Sequence, residues 1–264
     1  MNLKTEKIIA EKDDHIGWLT FNQPEKRNAV SLEMWQAVPT VLEAFEADPD
    51  IRVIVLKGAG TKAFVAGADI SEFEKMRNSA ENVQFYNQES GRANRILCAV
   101  NKPTIAMIQG VCVGGGVGIT LNCDMRIASE DSRFAIPAAK LGLGYGHDGL
   151  KQLVDVVGPA YAKEIFYTAR LFSANEALGM GLINRVVPTN VLEEYVRDYC
   201  SSIAQNAPLT INSVKKIVAQ IVDHDSPTDL EYCASLVKEC YDSEDYIEGR
   251  RAFMEKRQPV FKGE

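Results

Sequence analysis

The chain has 264 residues, 46% of them hydrophobic and 25% charged, which suits one globular domain with an appended helical segment. A formal net charge of −7 argues against nucleic-acid binding, and a phosphate-bearing ligand would need a local basic patch. Without a signal-like N-terminus or an apolar run near the ~20 residues that cross a bilayer, a cytoplasmic protein with no membrane partner is expected.

Ile8–Lys12 and Ile16–Phe21 read as two strands, with Asp13-Asp14-His15 as the turn and His15 on the surface. The polar loop Pro24–Ala29 ends near Ser31, an N-cap for a helix with Leu32, Trp35, Val38, Val41, Leu42 and Phe45 on one face. Pro39 is expected to kink or divide that helix, and Asp48-Pro49-Asp50 to end it. Arg52–Gly58 is a continuous apolar run, as in a parallel strand covered on both faces. Lys62–Asp69 reads as a loop, followed by box-like helix starts at Asp69-x-x-Glu72 and Ser71-x-x-Glu74. A long helix from about Glu81 to Val100 stops before Pro103.

Thr104–Ile108 and Met125–Ala128 are short strands on either side of a glycine-rich stretch, an alternation that indicates crossovers and a largely parallel sheet. Ser173-x-x-Glu176 opens a short helix closed by Gly179–Gly181, and Arg185-Val186-Val187 is a last strand. Leu192–Asn206, Leu209–Val222, Leu230–Tyr241 and Asp245–Lys256 are helices whose rich apolar faces point to packing on other subunits.

Chemistry concentrates in two stretches. In Cys112–Asp124, Gly114-Gly115-Gly116 precedes an apolar helix, where free N–H groups can hold an anion or a developing oxyanion. For an isolated Gly-Gly-Gly the simpler reading is a tight turn before a core helix. Lys62–Ile70 (KAFVAGADI) changes that weighting. Gly144–Gly149 spells GxGxxG with Glu164 twenty residues after Gly144, but no strand precedes it, so it is not a dinucleotide fingerprint. Six cysteines without CxxC read as reduced thiols, and three dispersed histidines (His15, His147, His224) give no metal site.

These stretches, with Pro24–Ala29 before them and Phe134-Ala135-Ile136-Pro137, Leu141-Gly142 and Glu255-Lys256-Arg257-x-Pro259-x-Phe261 after, resemble the crotonase (enoyl-CoA hydratase/isomerase) family in order and distance over essentially the whole chain. The resemblance implies an α/β fold, a spiral of ββα turns, with a core over residues 1–195. A C-terminal helical segment over 196–264 would form a homotrimer or a hexamer and complete the site. It implies an acyl-CoA thioester substrate, with no cofactor beyond the coenzyme A that the substrate carries. It assigns the Ala68 and Gly115 N–H groups to the oxyanion hole. Coenzyme A binding would draw on Lys26, Arg27, Ala29, Lys62, Phe64, Ala66 and Lys256. Arg257 would reach a neighbour's site beside Lys256, and Phe64 would pack on adenine or fill core.

Family hydratases carry two glutamates as the acid–base pair; this chain has Gly118 and Ala138 there. The enoyl-CoA hydratase label therefore sits beside an acyl-CoA decarboxylase or isomerase reading that uses Tyr145, in a Leu-Gly-x-x-Tyr arrangement like that of methylmalonyl-CoA decarboxylases. That branch carries a histidine where this chain has Ala68. His147 with Asp148 is a further base and partner, although adjacent residues seldom face each other. A non-catalytic acyl-CoA-binding protein is the third reading. Asp69 is expected to cap its helix, and Asp124 to satisfy donors at the end of its own. Glu72, Glu74 and Glu89 are the carboxylates that would have to swing in from elsewhere.

Overall fold

The computed structural model describes residues 3–69, 71, 80–223 and 226–264. Ile70, Glu72, Glu74 and His224, with the box-like helix starts, lie outside the described residues. The repeating unit is a long strand, a short strand and a helix. It runs as β3 (Val53–Gly58), β4 (Ala63–Val65) and α2 (Ala80–Ala99), then β5 (Thr104–Ile108), β6 (Val111–Val113) and α3 (Gly115–Leu121). A third turn is β7 (Met125–Ser129), β8 (Arg133–Ala135) and α4 (His147–Thr168).

Before these turns come the hairpin β1 (Ile8–Asp13) and β2 (Ile16–Phe21), and α1 (Leu32–Ala47); after them come β9 (Phe172–Ser173), α5 (Ala174–Gly179) and β10 (Arg185–Val187). The long strands build a six-stranded sheet in the order β1-β2-β3-β5-β7-β10, and the short ones a four-stranded sheet, β4-β6-β8-β9. Each strand lies parallel to its equivalent one turn later, which is the spiral of ββα turns.

The alternation of strand faces explains the two cores. Ile54 and Leu56 point into the larger one, with α1, α2 and the small sheet. Val53 and Val55 point the other way, onto α6 (Leu192–Ala204) through Leu192, Val196 and Cys200. The division expected after residue 195 therefore falls inside α6, which belongs to the core because its apolar stripe covers the sheet. The helices that follow are α7 (Pro208–Val222), α8 (Leu230–Asp242) and α9 (Glu244–Glu255). A groove of ≈ 720 Å³ between them is lined by Leu209, Val237, Tyr241, Phe253 and Met254. Phe253 and Met254 are 82% and 80% exposed.

Several local expectations need correction. Residues 62–69 contain β4, because Ala63, Phe64 and Val65 are fully buried and pair in the small sheet. The helix after Ser31 is not divided: Pro39 lies inside it, buried. Strands β6 and β8 and helix α4 have no counterpart in the sequence reading; α4 bends at Gly158 (φ +75) before Pro159. Asp124, just past the end of α3, does satisfy a backbone donor, but one on β5. It accepts from the Thr104 N–H (2.7 Å) and hydroxyl (3.0 Å) and from Lys215 (2.9 Å), tying β5 to α7. Among the described residues no helix is long and apolar enough to cross a membrane, and no group of His, Cys, Asp or Glu is arranged to hold a metal ion.

Candidate active site

The site begins where the first and second ββα turns touch. Val30 pairs with Ala68 as a parallel bridge: the Val30 N–H donates to Gly67 O (2.8 Å) and the Asp69 N–H donates to Val30 O (3.0 Å). In such a bridge the central residue's own N–H points away from the partner strand. The Ala68 N–H therefore points away from Val30. Gly67 lies against the glycine turn, its Cα 3.9 Å from a Cβ built on Gly114, and its carbonyl carbon, bonded to the Ala68 nitrogen, 4.0 Å from one on Gly115.

Gly114 holds φ +56, ψ −116, a conformation that a side chain disfavours, and its N–H is anchored on Ala135 O (2.8 Å). Gly115 is the first residue of α3, so its N–H is one of the donors a helix leaves unpaired. Among the described residues no acceptor meets the N–H of Ala68 or of Gly115. Gly116 is needed for close approach: a Cβ there would stand 2.2 Å from Val65 O.

The loop that presents Ala68 is held by Asp69 and Lys26 together with two side chains given no role in the sequence, Gln23 and Asn28. Gln23, Asn28 and Asp69 are all buried. Asn28, left-handed at φ +56, accepts from Gln23 N (3.0 Å) and donates to Ala59 O (3.0 Å) and Ala63 O (2.8 Å). The signal for it was asparagine's tolerance of left-handed backbone. Gln23 Nε2 donates to Ala29 O (3.2 Å) and Asp69 Oδ2 (3.0 Å). Lys26 Nζ reaches Asp69 Oδ2 and Ser71 Oγ, each at 2.7 Å. Asp69 also accepts from the Ser71 N–H (3.0 Å), the contact a helix cap would make.

Burial pushes the Asp69 pKa up, but hydrogen bonds from Lys26, Ser71 and Gln23 outweigh it and leave the carboxyl at about 2. The folded pKa lies below the ordinary value, so Asp69 adds stability above about pH 4 that is lost as pH falls toward about 2. Asp69→Asn is expected to cost about 1–3 kcal/mol at neutral pH. The gap in melting temperature from wild type should close as the pH falls from about 4 to 2; a gap of constant size would show that the carboxylate's charge is irrelevant.

Arg27 and Lys62, both exposed, share a cleft of ≈ 370 Å³ with Pro24, Gly60 and Thr61. Ala66 N donates to Arg27 O (3.0 Å) and Ala29 N to Lys26 O (3.1 Å), so the loops carrying Ala29 and Ala66 are tied to that cleft. Phe64 is a correction: it is 0% exposed and stands edge-on to Phe21 at 5.9 Å, so it fills core and offers no face to adenine. Lys256, left-handed at φ +53, is exposed at the end of α9. Arg257 is tied to Glu248 (2.6 Å) and Glu255 (2.6 Å), which raise its pKa.

Beyond the glycine turn, Gly118 and Ala138 stand where the resemblance places the family glutamates. Among the described residues nothing outside its own helix backbone lies within 4 Å of a Cβ built on Gly118. Ala138 is buried in the short helical turn Pro137–Leu141. Tyr145 lies edge-on to Phe166 at 4.8 Å, and partial burial raises its pKa, so the phenol stays protonated at neutral pH. His147 Nδ1 and Asp148 Oδ1 do meet, at 3.2 Å, but their side chains are 77% and 101% exposed at the start of α4. Their placement there reflects solvent access rather than a shared cavity.

A sequence model described as enoyl-CoA hydratase/isomerase matches residues 11–264. The chain belongs to that family. It is 34% identical over 255 residues to the short-chain-enoyl-CoA hydratase of Clostridium acetobutylicum, covering 97% of each chain. It is 34% identical over 258 residues to the (E)-benzylidenesuccinyl-CoA hydratase of Thauera aromatica, covering 97% of this chain and 99% of that one. The crystal structure of an enoyl-CoA hydratase/carnithine racemase from Magnetospirillum magneticum superposes with a TM-score of 0.92 at 36% identity, covering 99% of this chain and 97% of that one. Enoyl-CoA hydratase/isomerase membership and the α/β spiral with its C-terminal helices thus hold for the chain as a whole.

Proposed function

We propose that this chain transforms an acyl-CoA thioester through its enolate, with the N–H groups of Ala68 and Gly115 holding the enolate oxygen. The observation that carries the reading is the contact of Gly67 with the glycine turn, together with N–H groups on Ala68 and Gly115 that meet no acceptor among the described residues. Donors fixed before reaction stabilise charge that appears only in the transition state. The enoyl-CoA and benzylidenesuccinyl-CoA hydratases among the relatives support a coenzyme A thioester as ligand. In this reading Arg27 and Lys62 take coenzyme A phosphates in their cleft, Ala29 and Ala66 line it through their backbone, and Lys26 contributes alongside its bond to Asp69. Lys256 would arrive from a neighbouring subunit, and the apolar groove of α7–α9 supports assembly into a trimer or hexamer.

Which reaction follows depends on the proton-handling groups. Hydration is the activity named for the relatives. Gly118, Ala138 and Tyr145 favour a second reading, decarboxylation of a malonyl-type thioester. There the bond to the departing carboxylate breaks, its electron pair enters the enolate, carbon dioxide leaves, and Tyr145 returns a proton to the α-carbon, with His147 able to resupply the proton from solvent. No glutamate pair is required. Crotonyl-CoA hydration, followed by loss of the conjugated thioester absorbance, and carbon dioxide release from malonyl- or methylmalonyl-CoA separate the two. Tyr145→Phe is expected to lower decarboxylation by about 10²-fold with unchanged thioester affinity. Binding without turnover of either substrate would overturn the enzymatic reading and leave an acyl-CoA-binding protein.

A further inference from the structure

We propose that Tyr86 is a positioning residue for the oxyanion-hole N–H of Ala68, a role that rests on the enolate reading above. Tyr86 lies on α2 and is 8% exposed. Its hydroxyl accepts from Trp35 Nε1 of α1 at 2.8 Å and donates to Val30 O at 3.3 Å. Val30 O is also the acceptor of the Asp69 N–H, and the Val30 N–H grips Gly67 O. One residue's backbone therefore holds both neighbours of Ala68. A buried polar chain from Trp35 through Tyr86 fixes where that residue sits.

The placement fits a positioning role because a donor in an oxyanion hole works by direction. Among the described residues no acceptor aims the Ala68 N–H, so its direction is inherited from the bridge to Val30. Val30 precedes Ser31, which begins α1, while Ala68 and Asp69 lead toward α2. Helices α1 and α2 pack on one another, and the Trp35–Tyr86 bond joins them in the core. In a low-dielectric interior such a chain is stiff when every member is bonded, and a missing hydroxyl leaves the Trp35 N–H and one lone pair of Val30 O unmet.

The test uses full-length protein and butyryl-CoA carrying ¹³C at the thioester carbonyl. In the wild type the bound carbonyl resonance is expected to move downfield, as two N–H donors polarise it. Tyr86→Phe keeps the ring and removes the hydroxyl; it is expected to shrink that displacement and lower kcat about 3–10-fold while the affinity for free coenzyme A is unchanged. A residue that merely glues α1 to α2 would lower the melting temperature and leave the carbonyl resonance alone, and that result overturns the proposal. Should Tyr86→Phe fail to fold, Trp35→Phe leaves Tyr86 in place without its donor. A smaller change in the same direction supports the role, and an unchanged resonance overturns it. A wild-type carbonyl that does not move on binding overturns the oxyanion-hole reading itself, and this proposal with it.

Discussion

Gly116→Ala should reduce turnover by about 10²–10³-fold, because it pries apart the two proposed oxyanion donors. A Cβ on Gly116 would stand 2.2 Å from Val65 O and 3.0 Å from Val65 C. Both are backbone atoms of β4, which is paired with β6, so no flexible side chain can give way. α3 must move off β4, and the strand continues into the segment that carries Ala68. Overpacking of this kind also costs about 1–3 kcal/mol, a fall of roughly 2–12 °C in melting temperature for a chain of this size. The control is built into the same helix. Gly118→Ala adds the same methyl where, among the described residues, nothing outside its own helix backbone lies within 4 Å, and should hold or raise stability by up to about 1 kcal/mol. Thermal melts and steady-state rates of the two variants settle the matter, and a Gly116→Ala enzyme as active as the wild type would remove close packing from the account of the site.

The elements that announced themselves in the sequence are those whose residues carry their own local signal. Ser173 and Glu176 form the reciprocal cap that their spacing promises, and Val53–Leu56 is buried on both faces as an unbroken apolar run requires. The helices α6 to α9 follow their apolar periods to within a few residues. The elements that stayed hidden depend on distant partners. β4, β6 and β8 are three residues long and exist because each pairs with the next turn of the spiral. α4 was masked by the glycines at 142, 144, 146 and 149, which read as a loop, and by Gly158 and Pro159 in its middle.

The candidate site divides along the same line. The motifs around Ala68 and Gly115 single them out in the sequence, whereas the meeting of Gly67 with the glycine turn is a contact between residues far apart in the chain. Gln23, Asn28 and Tyr86 looked like ordinary loop and helix residues. Only folding brings Gln23 onto Asp69, Asn28 onto Ala63 and Tyr86 onto Val30. For Phe64 the sequence left two readings, adenine contact or core, and its ring lies wholly in the core beside Phe21.

Installing both missing carboxylates should turn the scaffold into a better hydratase. Gly118 sits one turn beyond Gly115 in α3, on the face that carries the free N–H, and its Cβ direction is open. Ala138 follows β8 by three residues, and the end of β8 is bonded to the glycine turn through Ala135 O and Gly114 N. A glutamate at each position would place two carboxylates at one site, where mutual repulsion raises the pKa of one and leaves an acid beside a base. General acid–base assistance of this kind is worth about 10²–10⁴-fold. Gly118→Glu with Ala138→Glu is therefore expected to raise crotonyl-CoA hydration by that order over the wild type, and each single change by far less, since the pair acts as a unit. The absorbance of the conjugated thioester reads both. A wild-type chain that already hydrates crotonyl-CoA rapidly, and a double variant that gains nothing, would mean that water is activated from elsewhere. Glu89 on α2 is then the first carboxylate to remove, because it is half-buried on the helix that Tyr86 ties to the oxyanion loop.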